Sequence, residues 1–160
     1  MKRILIIFEN GRSFPATLLE DKAPKTCEKV WESLPFSSIV RHSRWSGRER
    51  NFPFTSNGYP KRENQTISTS IGEIVYWRDW LMDEEPDVSE IIAIYYGAER
   101  TRSHRGDEPV HVFAKIDYTH FCKFANYLFC TLANYFGLEY TYKIRSTGFT
   151  WSGGHVRLVA

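Results

Sequence analysis

Residues 14–49 constrain the fold more than any other part of this chain. They read as a strand, a capped helix, a second strand, and then a loop dense in His, Arg, Trp and Glu. Ala23-Pro24-Lys25-Thr26 opens the helix. Proline at a first helical position gives up no hydrogen bond and has its φ already set. Cys27, Val30, Trp31 and Leu34 follow at helical spacing on one face. Pro35 disfavours helical backbone at Leu34 and ends the element. Residues 2–8 and 13–20 are expected as strands joined in a hairpin. Asn10-Gly11 is the favoured pair for its type I′ turn, where both central positions need positive φ. Residues 37–43 return as a strand.

Farther along, residues 46–72 are polar, aromatic and rich in turn formers, with short strand pieces expected near 51–55. Long ordered loops are often functional. Residues 73–77, 91–96 and 110–116 read as strands, and residues 79–89 as an acidic loop. Residues 97–108 are charged with little to bury, so they are expected to be mobile or ordered only by a ligand. A second helix is expected over residues 118–136, with Asp117 as N-cap and Gly137 as C′ residue. Residues 139–145 and 155–159 complete the strands, with Trp151-Ser152-Gly153-Gly154 as a turn before the last. Many strands and two helices in one domain of 160 residues predict a barrel whose ends are covered by helices.

Bulk properties narrow the function classes. Aromatic residues make up 16% of the chain, so the core or a cleft is expected to be lined with rings. A formal net charge of +2 is too weak to argue for nucleic-acid binding, and the basic segments 41–50 and 100–105 are offset by acidic runs. The apolar run from Ile4 to Phe8 gives way at once to Glu9-Asn10-Gly11, which is a strand and turn and not a signal peptide. No stretch is long enough to span a membrane. Cys27, Cys122 and Cys130 are odd in number and form no CxxC, which reads as reduced thiols in a cytoplasmic protein.

Asp21-Lys22-Ala23-Pro24-Lys25-Thr26 with Glu28 resembles the helix entry of cyclophilins after two antiparallel strands. The pieces LEDKAPKTCEKVWESLPF, RHSRWSGRE, ENQTISTSIGEI and IYYGAERTRSHRGDEPVHVFAKI resemble, in order and over most of the chain, an uncharacterised family of bacterial cyclophilin-like proteins. The resemblance implies a mainly β, single-domain protein over residues 1–160: a closed eight-stranded cyclophilin-like β-barrel with two α-helices. It implies no established activity. True cyclophilins carry Phe-His-Arg and Gln-Gly-Gly-Asp segments where this chain has Val40-Arg41-His42-Ser43-Arg44-Trp45-Ser46-Gly47-Arg48-Glu49. Arg44 stands only loosely where the isomerase arginine would be, and no later proline-pocket motif has a counterpart.

The candidate site is a cluster at the barrel mouth: His42, Arg44, Trp45 and Glu49. His42 and Arg44 alternate on a strand end and share a face. Arg44 would clamp a carboxylate or phosphate through its planar fork, and His42 or Glu49 could exchange a proton. The competing reading is that Arg44 and Glu49 pair to hold the loop and His42 is a satisfied strand histidine. Glu63 could face the same cleft, while Asn64 would cap a turn. Tyr95 and Tyr96 alternate, so one ring could lie in the core and one at the pocket, with Tyr96 the candidate there, or both could serve barrel packing. Arg100 could close over an anion or simply be solvated. His111 could point inward beside His42 or serve structure.

No compact metal-ligand motif is present, and neither metal nor cofactor is expected. The expected partner is a small anionic molecule bound among Arg44, Arg48, Arg100 and Arg102 with Trp45, Tyr59 and Tyr96. The alternatives are peptide binding, with or without prolyl isomerisation, and self-association into a homo-oligomer through residues 46–72. Whether any reaction is catalysed stays open at this level.

Overall fold

The structure is a computed structural model that describes residues 1–43, 46–79, 89–117, 119–120 and 150–160. The strands, in chain order, are β1 (Arg3–Phe8), β2 (Ser13–Leu18), β3 (Phe36–Ser43), β4 (Glu49–Phe54), β5 (Gln65–Thr66), β6 (Ser68–Thr69), β7 (Glu73–Arg78), β8 (Glu90–Tyr95), β9 (Glu99–Arg100), β10 (Arg102–Ser103), β11 (Gly106–Asp107), β12 (Val110–Ile116) and β13 (Thr150–Val159). The helix α1 is Pro24–Glu32. Eight strands run in the order β2-β1-β13-β3-β4-β8-β7-β12, and β12 pairs back with β2 to close the barrel. Every pairing is antiparallel. The mainly β, closed eight-stranded barrel expected from the sequence is therefore the observed architecture. Apart from residues 119–120, which are helical, the expected second helix lies outside the described residues, as do the strand over 139–145 and most of the acidic loop over 79–89.

Period-two alternation builds the core. Ile4 and Ile6 of β1, Phe14, Ala16 and Leu18 of β2, Phe52 and Phe54 of β4, Ile74 and Tyr76 of β7, and Ile92 and Ile94 of β8 all face one interior cluster. In β12 a register shift between Val112 and Ala114 lets both Phe113 and Ala114 join that cluster. Helix α1 adds Ala23, Cys27 and Val30, with Trp31 and Leu34 packed against them. Burial pushes the Cys27 thiol up to about 12, so it serves packing and not reactivity.

Several local expectations change. The first hairpin has three loop residues, since Ile7 pairs with Ser13 and Phe8 N–H donates to Arg12 O. Gly11 has φ +80°, while Asn10 is not in the left-handed region. The loop is thus a turn closed by one left-handed glycine and not a type I′ pair. Residues 49–54 form a full barrel strand, not loop pieces. Residues 150–159 form one strand, in which a register shift between Ser152 and His155 replaces the expected turn.

The charged segment 97–108 is held by the protein itself. Arg48 and Arg102 pair with Glu99, Arg100 pairs with Asp107, and Arg105 pairs with Asp79 and Glu108. Thr101, which is fully buried, donates its N–H to Ile67 O and receives Glu108 N–H. Its charged side chains thus find partners within the protein.

Candidate functional site

Strand β4 decides the geometry of the site. Arg50, Phe52 and Phe54 take its inner face, and Glu49 and Asn51 its outer face. Glu49 lies opposite Tyr95, Asn51 opposite Ala93, and Ala93 opposite Val75. The outer wall of the barrel is apolar here. Val75, Ala93, Tyr95, Val110 and Val112 form a second buried cluster, joined by Leu19 and Trp77. Against this wall lies a cavity of about 260 Å³, lined on its polar side by Arg41, Glu49, Asn51, Tyr95, Arg102 and Glu108.

Glu49 is 3% exposed. Its Oε1 accepts from Ser46 Oγ at 2.6 Å and from Asn51 Nδ2 at 2.7 Å. The Tyr95 hydroxyl is a third partner. Burial dominates these donors and holds the carboxyl above its ordinary pKa. Burial, together with the adjacent Glu49, in turn pushes the Tyr95 hydroxyl upward. Glu108 Oε1 accepts from Arg105 Nη2 at 2.8 Å. Arg41 is exposed on the outer face of β3, and the Arg102 guanidinium is 3.6 Å from Glu99.

The other candidate residues occupy separate places. His42 and Tyr96 meet on the inner side of the wall, with Nε2 2.6 Å from the Tyr96 hydroxyl and ring centroids 5.7 Å apart. His42 is buried and Tyr96 belongs to the interior cluster, so both are separated from Glu49 by the sheet. Arg44 and Trp45 lie outside the described residues.

His111 is fully buried and points inward. Its Nδ1 is 3.5 Å from Thr26 Oγ1 and its ring is 5.8 Å from that of Tyr76. Burial lowers its pKa to about 4. Glu63 accepts the N–H groups of Lys25 and Thr26 at 3.1 and 2.9 Å and the Thr26 hydroxyl at 3.1 Å, which caps α1. Asn64, at φ 40°, bonds Val112 O through Nδ2 at 2.7 Å. Arg100 is exposed and paired with Asp107. Among the described residues, no three His, Cys, Asp or Glu side chains are grouped as a metal ion would need.

The family model described as a protein of unknown function, DUF3830, matches residues 5–120. The chain belongs to this family. No curated protein matches it. Among solved structures it resembles McbB in complex with tryptophan, with a TM-score of 0.63 and 15% identity over 98% of this chain and 44% of that one. The DUF3830 chain thus spans less than half of the McbB chain. It also resembles the hypothetical protein AF2241 from Archaeoglobus fulgidus, with a TM-score of 0.51 and 18% identity over 98% of this chain and 92% of that one. At these identities the likeness concerns the fold alone.

Sequence reasoning found Glu49 in this DUF3830 chain but missed most of the neighbours that surround it. Arg41 escaped because the functional reading fell on the opposite face of strand 37–43, the one that carries His42, and Asn51 because residues 49–54 did not read as one continuous strand. Had they done so, period two would have placed Glu49 and Asn51 on one face. Tyr95 was half legible, as one member of the alternating pair Tyr95-Tyr96. Arg102 is expected from the sequence near the ligand, with Arg44, Arg48 and Arg100, whereas nothing local marks Glu108, which the fold of segment 97–108 brings to the wall.

Proposed function

We propose that this DUF3830 domain is a cyclophilin-like barrel that binds a small carboxylate- or phosphate-bearing molecule in the wall cavity beside Glu49. The observation that carries this reading is the composition of the cavity. An apolar floor (Val75, Ala93 and Val110) lies beside the guanidinium groups of Arg41 and Arg102. Mostly apolar concavities with a few fixed polar groups are what small ligands need. At about 260 Å³ the space suits a ligand smaller than a drug-sized one. That a barrel of similar fold, McbB, was solved with tryptophan adds fold-level support for a small-molecule role. The peptide-binding or prolyl-isomerase alternative rests on the cyclophilin-like framework alone.

The test is thermal unfolding against a panel of small carboxylates and phosphates. One class should raise the melting temperature in a concentration-dependent way, since a ligand at a hundredfold excess over its Kd stabilises by about 2.7 kcal/mol. The Arg41→Ala/Arg102→Ala double variant should lose that response. Stabilisation that survives both substitutions would overturn the assignment. A protease-coupled proline-isomerisation assay should stay at background; a rate proportional to protein concentration would replace this reading with the isomerase one.

A further inference from the structure

The lining of the wall cavity carries charge of both signs. Glu49 and Glu108 stand in it together with Arg41 and Arg102. A simple anion would use the guanidinium groups and leave the acids unused. Glu49 is the more telling of the two. Its partners, Ser46, Asn51 and Tyr95, are all neutral, and no cation of the described residues is among them. A buried carboxyl without a countercharge is costly, and a ligand that brings the missing positive charge relieves that cost.

Two further groups point the same way. Trp77 Nε1 and Glu108 Oε2 are buried without a hydrogen-bond partner among the described residues, and both side chains line the cavity. Each unmet donor or acceptor costs about 1–3 kcal/mol. One is a donor and the other an acceptor, so a ligand satisfying both must offer an acceptor and a donor.

We propose that the cavity takes an amino-acid-like zwitterion with an apolar side chain. Glu49 and Glu108 receive its ammonium group, Arg41, Arg102 and Trp77 its carboxylate, and Val75 and Ala93 its apolar body. This rests on the reading of the cavity as a small-molecule site and narrows it from anions to molecules bearing both charges.

Three compounds with one ring and different charges separate the two readings: phenylalanine, 3-phenylpropanoate and phenethylamine. Calorimetric titration of the whole chain should show phenylalanine binding about tenfold or more tightly than either of the others, as expected for a charged hydrogen bond gained. Glu49→Gln, which keeps shape and removes charge, should erase the preference over 3-phenylpropanoate. Equal binding of phenylalanine and 3-phenylpropanoate would overturn the zwitterion and leave the anion reading standing. No binding of any of the three, together with no response to other carboxylates or phosphates, would overturn both. A preference for phenylalanine that persists in Glu49→Gln would remove Glu49 as the ammonium partner. Should Glu49→Gln fail to fold, the comparison of the three compounds on the unaltered chain decides.

Discussion

At Glu49 a carboxyl group sits against an apolar wall with three hydrogen-bond donors and almost no water. Its raised pKa means that, between the ordinary carboxylate pKa and its own, the native state keeps a proton that the unfolded chain has released. Stability from this group therefore falls as pH rises above the ordinary carboxylate range. His111 acts in the opposite sense. Its pKa of about 4, against 6.5 when solvated, means that the unfolded chain holds more protons between those values. Stability from His111 thus rises with pH across that window, by up to about 3 kcal/mol. Because the two slopes oppose each other, the clean measurements are single-residue ones. The His111 ring resonances should not titrate above about pH 5. In Glu49→Gln, urea unfolding should lose the Glu49 slope and show a steeper gain with pH. A His111 midpoint near that of free histidine would contradict the buried, neutral ring.

Helix α1 lacks a side-chain cap of its own, since its N-cap residue is Ala23. The missing acceptor comes from Glu63, which lies 37 residues beyond Thr26 in the chain. Glu63→Ala should cost about 1–2 kcal/mol, read as a lower urea midpoint with an unchanged slope. Its effect on binding in the wall cavity should be small, because Glu63 is not among the residues lining it. The turn before β4 makes a different demand. Gly47 has φ +129°, and a Cβ built there would come within 2.5 Å of Glu99 Cγ. Gly47→Ala should destabilise by about 1–3 kcal/mol and shift Glu99, which also pairs with Arg48 and Arg102. Chemical shifts of the Glu99 and Arg102 region would report it, and an unperturbed spectrum would count against this packing.

Across the whole molecule, closure of β12 on β2 makes the barrel one cooperative object. Leu18 lies opposite Ala114, and Ala16 opposite Ile116. Phe52 is fully buried inside it and packs at 6.2 Å from Phe36. Phe52→Ala should cost about 3–5 kcal/mol, measured by chemical denaturation. A cost under about 1 kcal/mol would mean that the interior collapses around the loss. Apolar runs bounded by polar and turn residues sufficed to place most of the barrel strands, and β1 and β2 carry their alternating burial in their own residues. Strand β4 was legible only as short pieces near 51–55, because Glu49-Arg50-Asn51 are three polar residues in a row and Pro53 interrupts the rest, although five of the six residues end up buried. The candidate site was legible only as a list of polar residues near one stretch of chain. Which of them meet depends on the sheet. His42 and Glu49 are seven positions apart in the chain, yet the wall puts one with Tyr96 inside and the other with Tyr95 outside. Local pattern determines which strands form, because side chains alternate by covalent geometry. Only closure into a barrel decides which face is interior and which distant segment covers the other, because that depends on pairings between residues far apart in the chain.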